Sequence, residues 1–463
     1  MAERSSISGR TFLGALACWL ALWLAAPASA ETLESALARA YTGNPTLGAQ
    51  RASVRATDEN VPRALSGFRP RINATADAGI EYNEGRSSRR DFANTVYPRG
   101  FGAQVDQTLF NGFRTFNTTR QAESQVLGAR ETLRTTEQTV LFNGAQAYMN
   151  VLRDTAILNL QRNNVEVLEE QLRQTRDRFT VGEVTRTDVA QAESRLALAR
   201  AQVSAAEANL RTSIAVYRQV IGVQPRALAP GRPLDRLVPR SLAAALDIGL
   251  LEHPAIIAAL HAVDAAELQV KITEGELWPT IGLTGSVAQR YDQQILGGDR
   301  TFTAAAVARL TVPIYEGGEV YARVRQAKEL AGQRRIEAEV SRDQVRATVV
   351  SAWGQLEAAR AQITATQAQV EAAEIALNGV REEARVGQRT TLDVLNAQQE
   401  LLNARVNLIT AQRDRVVASY NVVQAIGRLS IRALGLNIAQ YDAREHFDQV
   451  KFLWWGVRTP DGR

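Results

Sequence analysis

Few side chains able to act as nucleophile, general base or metal ligand stand in a working arrangement in this sequence. The first two of its three histidines, His253 and His261, are eight residues apart, and His446 is remote from both. That spacing is neither the i, i+3 nor the i, i+4 repeat that sets two ligands on one helix face. No phosphate-binding glycine loop, nucleophile elbow or carboxylate pair in a catalytic context occurs. Each histidine reads as a polar surface or capping residue, and no enzymatic activity, metal or cofactor is expected. The recurring chemistry is electrostatic. Val181-Gly182-Glu183-Val184-Thr185-Arg186-Thr187-Asp188 returns 205 positions later as Val386-Gly387-Gln388-Arg389-Thr390-Thr391-Leu392-Asp393.

Gly182 and Gly387 suit the left-handed residue that ends a long helix before it reverses. Thr185 with Asp188, and Thr390 with Asp393, have the spacing of a capping box, which would set each carboxylate at a helix N-terminus. The same carboxylates could instead serve a charged functional site, and the residues alone leave both readings open. Glu183-Val184 of the first turn stands opposite Gln388-Arg389 of the second, so Arg389, whose fork can bond a carboxylate bidentately, has no counterpart in the first copy.

Composition bounds what could carry these turns. The chain has 463 residues, 45% apolar and 22% charged, with 54 Lys and Arg against 49 Asp and Glu. The small basic excess is spread along the chain and no basic run is interleaved with aromatics, which argues against a nucleic-acid partner. Arg4 and Arg10 precede an apolar run from Phe12 to Ala26, and Ala28-Ser29-Ala30 supplies a small-x-small site, so residues 1–30 read as a signal peptide removed after Ala30. The run is shorter than the roughly 20 residues a spanning helix needs, and Pro27 follows it. Cys18, the single cysteine, lies inside that run with no lipoprotein box, so the exported chain is expected to have neither thiol nor disulfide. Beyond Ala30 no run of 18 apolar residues appears, so entry into a membrane would have to be made by strands.

The chain is written twice. Leu33 to Leu37 with Asn44-Pro45 matches Leu242 to Leu246 with His253-Pro254 at an offset of 209, as Arg69-Pro70 matches Trp278-Pro279; Phe110-Asn111-Gly112 matches Tyr315-Glu316-Gly317, and Ile221-Gly222 matches Ile426-Gly427, at 205. The change falls between Pro70 and Phe110, where a longer loop is expected in the first copy. Alternation of period two predicts strands over 71–82 and 100–110, with Ile72, Ala74, Ala76, Ala78, Ile80 and Tyr82 on one face of the first and Phe101, Ala103, Val105 and Leu109 on one face of the second. The second copy repeats this over 280–291 and 301–312. These lengths suit tilted outer-membrane strands with one face for lipid and one for a lumen, although a half-buried soluble sheet has the same pattern. Four strands cannot close a water-filled barrel, so several chains would share one, and three would give twelve strands.

Residues 113–179 and 319–384 read as helices of about 100 Å. A heptad register runs through Val349, Leu356, Ile363, Val370, Leu377 and Ala384, with Ala352, Ala359, Thr366, Ala373 and Val380 beside it, and returns in the first copy as Val151, Leu158, Val165, Leu172 and Phe179. Shorter helices are expected over 45–67, 185–221, 254–276 and 391–426, the first opened by Asn44 as cap and Pro45 at its first position. The repeats thus span 31–222 and 241–427, joined by a Pro-rich basic linker at 223–240 and followed by a tail at 428–463.

In this order, with Leu109-Phe110-Asn111-Gly112 and Ile314-Tyr315-Glu316-Gly317 opening the long helices, residues 31 to 463 resemble the TolC family of outer-membrane efflux and secretion channels. The ending from Glu445-His446-Phe447 to Trp454-Trp455-Gly456 looks like that of its BepC-like branch. The resemblance implies an α+β membrane protein, a duplicated unit with a β-hairpin and long coiled-coil helices in each half. Its homotrimer would build a 12-stranded outer-membrane β-barrel continued by a 12-helix periplasmic α-barrel, with the linker and tail as an equatorial band. It implies a passive conduit, embedded in outer-membrane lipid and served by a periplasmic adaptor protein and an inner-membrane RND or ABC transporter. A non-conducting trimeric coiled-coil adhesive or structural envelope protein is the alternative. A periplasmic adaptor would be expected to show a lipoyl-like β-region, which this sequence lacks.

The resemblance also assigns roles at the two turns. Arg389 falls on an arginine that links the coils at the periplasmic mouth, Asp188 on its acidic partner, Asp177 on a second partner, and Asp393 on the first position of an acidic lumenal ring. Asn396 stands where the second ring aspartate is expected, and Ala384 where another link has a tyrosine, so the ring would hold three carboxylates in a trimer and closure would lean on Arg389. Val181, Gly182, Val386 and Gly387 would form adaptor-docking tips.

Overall fold

The computed structural model describes residues 30–86, 91–292 and 299–462. The signal segment, with Cys18 and the run to Ala26, lies outside the described residues. Each repeat opens with two consecutive helices. In the first they are α1 (Leu33–Gly43) and α2 (Pro45–Asp58), then a short α3 (Asn60–Leu65) and a 3-10 turn to Phe68. In the second they are α6 (Leu242–Glu252) and α7 (Pro254–Glu274). The break between the members of each pair is local chemistry. Proline takes the first helical position, where no amide hydrogen is needed. The residue before it caps: Asn44 Oδ1 accepts from the Thr46 amide at 2.9 Å, and His253 Nδ1 from the Ala255 amide at 3.2 Å. The stretch Leu242–Leu277 is long and apolar enough to cross a membrane by length and composition, although charged residues from Asp247 to Glu276 interrupt it. It is divided at His253-Pro254 and packs along both long helices of the molecule.

The strands are β1 (Arg71–Ala78), β4 (Arg99–Asn111), β5 (Thr280–Tyr291) and β6 (Arg300–Thr311), one antiparallel sheet in the order β1-β4-β5-β6. Register sorts the faces. Ile72 lies opposite Val105, Ala103 opposite Val287, and Val287 opposite Ala304, making one apolar face, while Asp77, Asp106, Thr284 and Arg290 occupy the other. On that polar face Arg290 meets Asp77 at 2.7 Å and the Thr284 hydroxyl donates to Asp106 at 2.9 Å.

Two details depart from simple alternation. The pattern over 71–82 is not one strand: β1 stops at Ala78, and β2 (Glu81–Arg86) pairs with β3 (Asp91–Val96) in a separate ribbon, which occupies the extra length of the first copy. A shift of register between Thr108 and Phe110 puts Phe110 opposite Ile281, so Leu109 leaves the apolar row. Among the described residues, neither outer edge, β1 nor β6, has a partner strand.

From the sheet descend α4 (Arg114–Thr180) and α8 (Glu319–Arg385), 67 residues each, which return as α5 (Arg186–Ile221) and α9 (Thr391–Ala425). Entry into α4 needs a sharp bend at Gly112, where φ is 64° and a Cβ would stand 2.1 Å from the Gly275 carbonyl oxygen. The heptad residues Val349, Ala352, Leu356 and Ala359 form a core with Val422, Ala425 and Ile426 of the α9 end. A larger core surrounds the middle of α4, where Leu141 and Tyr148 meet Leu37, Tyr217, Leu429 and Ile431. There the Tyr148 hydroxyl lies 2.7 Å from the Glu31 carbonyl and 2.6 Å from that of Ala229, able to donate to either. It ties the start of the first repeat at Glu31 and the segment between repeats to the long helix, and its burial pushes its pKa up to about 12. The tail adds α10 (Ala443–Val450), laid on α2.

Candidate gate and docking tips

Each long helix ends by the same hydrogen-bond pattern. The Gly182 amide donates to the Phe179 carbonyl at 3.0 Å and Glu183 to Arg178 at 2.9 Å; Gly387 donates to Ala384 at 3.2 Å and Gln388 to Glu383 at 2.9 Å. These are paired Schellman closures. They require φ of 78° at Gly182 and 79° at Gly387, and nothing within 4 Å would obstruct a Cβ at either, so conformation and not space selects glycine. Val181 and Val386, the C-cap residues, project into solvent.

The return helices begin with full capping boxes. Asp188 Oδ2 accepts from the Thr185 amide at 2.9 Å while the Asp188 amide donates to Thr185 Oγ1 at 3.3 Å; for Thr390 and Asp393 the distances are 3.0 and 3.2 Å. The capping reading therefore holds for both aspartates, and it does not consume them: each uses one oxygen. The Thr390 amide and hydroxyl, with the nearby Arg389 cation, hold the Asp393 carboxyl below its ordinary range.

Within the protomer Arg389 meets neither Asp188 nor Asp177. Its Nε donates to Glu383 Oε2 at 2.8 Å, bracing the second turn against its own helix. The first turn carries the mirror arrangement: Arg178 Nε donates to Glu183 Oε2 at 3.0 Å. Arg178 and Glu383 are repeat-equivalent positions with opposite charge, so each tip is braced by an ion pair of inverted polarity. Sequence reasoning passed over Glu383, Arg178 and Glu183; the signal available was an opposite charge five or six residues across a predicted helix-ending glycine. Asp177 remains exposed, its carbonyl accepting from the Thr180 hydroxyl at 2.7 Å.

The two hairpins meet just above the tips. Leu395 of α9 is buried among Leu168, Leu172, Ala192 and Leu196 of the first hairpin. Next to it Asn396 Oδ1 accepts from Arg195 Nη2 at 2.7 Å, a contact across 201 residues that no local pattern announces. Between the ends of α4 and α8 lies a groove of about 620 Å³ lined by Glu166, Glu170, Arg178, Arg381 and Arg385, with Thr391 and Gln398 from α9. Among the described residues no group of three or more His, Cys, Asp or Glu could hold a metal ion. His253 is a cap, His261 lies 3.5 Å from Asp264, and His446 lies 3.1 Å from Asp58.

Comparison with known proteins agrees with this geometry. The family model for the outer membrane efflux protein matches twice, over residues 36–223 and 246–428, one match to each repeat. The chain is 45% identical over 438 residues to the outer membrane efflux protein BepC of Brucella suis, covering 94% of each. It is 27% identical over 424 residues to the outer membrane protein TolC of Escherichia coli, covering 87% of this chain and 83% of that one. The solved outer-membrane channel CmeC of Campylobacter jejuni superposes with a TM-score of 0.74 at 19% identity, over 91% of this chain and 89% of that one. An outer-membrane, trimeric α+β channel explains why the sheet's edges end unpaired in one protomer and why the long helices turn back at exposed tips. The chain belongs to the outer membrane efflux protein family, and is a non-enzymatic homotrimeric exit duct that works with a periplasmic adaptor and an inner-membrane transporter in efflux or type I secretion.

Proposed function

We propose that the hairpin tips at Val181-Gly182 and Val386-Gly387 are both the closed periplasmic end of the duct and the surface on which the adaptor docks. The observation that supports this is the inverted pair of braces, Arg178 with Glu183 and Glu383 with Arg389. In a ring of three chains, first-copy and second-copy tips alternate, so opposite charges stand at neighbouring positions. Exposed pairs of this kind exchange partners at low cost, because solvent screening leaves each one weak. Arg389 can therefore leave Glu383 for Asp188 or Asp177 of the first-copy coil, and the resting closed state and the opened state differ in which carboxylate it holds.

In this reading Asp393 faces the lumen with the oxygen that its capping box leaves free, and three copies form the acidic ring. Asn396, held by Arg195, fixes the spacing of the hairpins and adds no charge to the ring. The linker at 223–240 and the tail at 428–463 as far as Ala443 form the equatorial band around the middle of α4, the rest of the tail continuing toward the sheet, and the mature chain begins after Ala30. Purified trimer in planar bilayers tests the gate: closed, low conductance for the native chain and a several-fold rise after Arg389→Ser. A native-like low conductance in that variant would exclude Arg389 from the closed state.

A further inference from the structure

The C-terminal tail ends in large apolar side chains that the protomer leaves uncovered. Phe452 is 71% exposed, Trp454 63% and Trp455 86%. Its path determines where they sit. In α10, His446 Nδ1 lies 3.1 Å from Oδ2 of the buried Asp58, and the Arg130 guanidinium of α4 covers Phe447 at 5.0 Å from the ring centroid. One turn later Lys451 Nζ is 3.3 Å from Glu123 Oε1. From Arg130 to Glu123 the tail has moved about 10 Å toward the start of α4, and hence toward the sheet. The Leu453 carbonyl then accepts from Arg69 Nη1 at 2.7 Å, and the same guanidinium covers the Trp454 ring at 4.7 Å. Arg69 stands two residues before Arg71, the first residue of β1. The tail therefore runs antiparallel to α4 and delivers its tryptophans to the foot of the strands.

That level already carries exposed aromatic side chains from both repeats: Phe68 before β1, Trp278 before β5 and Tyr315 after β6. Tryptophan and tyrosine concentrate where a bilayer meets water, the ring among acyl chains and its polar atom among headgroups. Above it the strands present the apolar row of Ile72, Val105 and Leu283 to the acyl chains.

We propose that Phe452, Trp454 and Trp455 form an interfacial anchor inserted in the periplasm-facing leaflet of the outer membrane, with Arg69 as the clamp that holds it at the foot of β1. The occupant of this surface is phospholipid, because the surface continues the lipid-facing band of the sheet. Three anchors per trimer would fix the depth at which the barrel sits while the periplasmic end engages its partners. The proposal rests on the outer-membrane location of the channel and not on the gate.

The test uses the full trimer in phosphatidylethanolamine and phosphatidylglycerol vesicles containing phosphatidylcholine brominated either near the headgroup or near the chain end. Tail emission is taken as the difference between the native chain and the Trp454→Phe/Trp455→Phe variant. Headgroup-proximal bromines are expected to quench that difference at least about two-fold more than chain-end bromines. Arg69→Ala, which frees the tail, should reduce the quenching with conductance unchanged. A difference spectrum that neither lipid quenches would overturn the anchor, whether aqueous iodide reaches the tryptophans or a neighbouring protomer buries them. Loss of conductance in the native chain would instead strike at the duct, so the two failures are distinguishable.

Discussion

Nε of Arg389 stands 2.8 Å from Oε2 of Glu383, across a helix end whose glycine has turned the chain back on itself. The pair braces the tip from within one chain, and Glu383 competes with the carboxylates of a neighbour for the arginine. Arg389→Ser and Glu383→Gln should therefore have opposite effects on conductance in planar bilayers. The first removes the cation needed for closure and raises open probability several-fold. The second frees the cation for Asp188 or Asp177 and lowers it. If the brace within the turn were itself the closing device, both variants would open the channel, and the charge swap Arg389→Glu with Glu383→Arg would restore the native state.

Asp393 predicts cation sensitivity. A ring of carboxylates concentrates counter-ions by a factor of about ten or more in a low-dielectric constriction. Asp393→Asn should raise the concentration of a trivalent cation needed to block the pore roughly ten-fold. Thr390 and Arg389 hold this carboxyl below its usual titration range, so block should persist as the bath is acidified through the ordinary aspartate range. Asn396→Asp should sharpen the block by doubling the carboxylates, and would also give Arg195 a charged acceptor.

Glycine has different reasons at different turns, and alanine substitutions separate them. At Gly387 only the left-handed backbone forbids a side chain, so Gly387→Ala should cost about 1 to 2 kcal/mol and leave assembly intact. At Gly112 a Cβ would meet the Gly275 carbonyl oxygen at 2.1 Å in addition to φ of 64°. Gly112→Ala should therefore abolish trimer recovery from the membrane, read by native gel of detergent-extracted protein.

His253 gives the second repeat an acid-sensitive helix start that the first repeat lacks. Its Nδ1 can accept from the Ala255 amide only when unprotonated, and burial lowers the imidazole's pKa. A depressed folded value means that the stabilisation is complete above the ordinary histidine range and is lost as pH falls through the folded value. His253→Asn copies the cap that Asn44 makes and carries no titrating group. Thermal melts should show the native chain losing about 1 kcal/mol of cap stabilisation on acidification. The variant should lack this component, and an identical acid slope in the two proteins would disprove the role of the cap.

Glu137 shifts stability in the other direction. Burial raises its carboxyl pKa, and one of its oxygens, Oε1, has no hydrogen-bond partner among the described residues. A raised folded value means that the stabilisation is complete below the ordinary glutamate value and declines as pH rises through the folded one. Glu137→Gln should therefore raise the melting temperature by a few degrees at neutral pH. The gain should shrink as pH falls towards the unfolded value of 4.5 and vanish below it, where the native side chain is neutral in both states.

The sequence by itself determined what depends on neighbours along the chain. Duplication at fixed offsets, period-two alternation, heptads, Pro at helix starts and Thr-x-x-Asp boxes all act within a turn or two of backbone, so residue order alone is enough to read the elements, the tips and the caps. The tertiary structure decided which distant groups meet. Arg195 with Asn396, Asp58 with His446 and Arg69 with the tail carbonyl of Leu453 each join positions that meet only once helix lengths and tilts are set. The division of the 71–82 alternation into two strands has the same origin, since the pattern of faces continues through Gly79 while the pairing partner changes from β4 to β3. Arg389 shows the boundary between the two most plainly. Its place in the turn follows from local sequence, but Glu383, Asp188 and Asp177 are all carboxylates its fork could hold, and only the folded geometry selects the first.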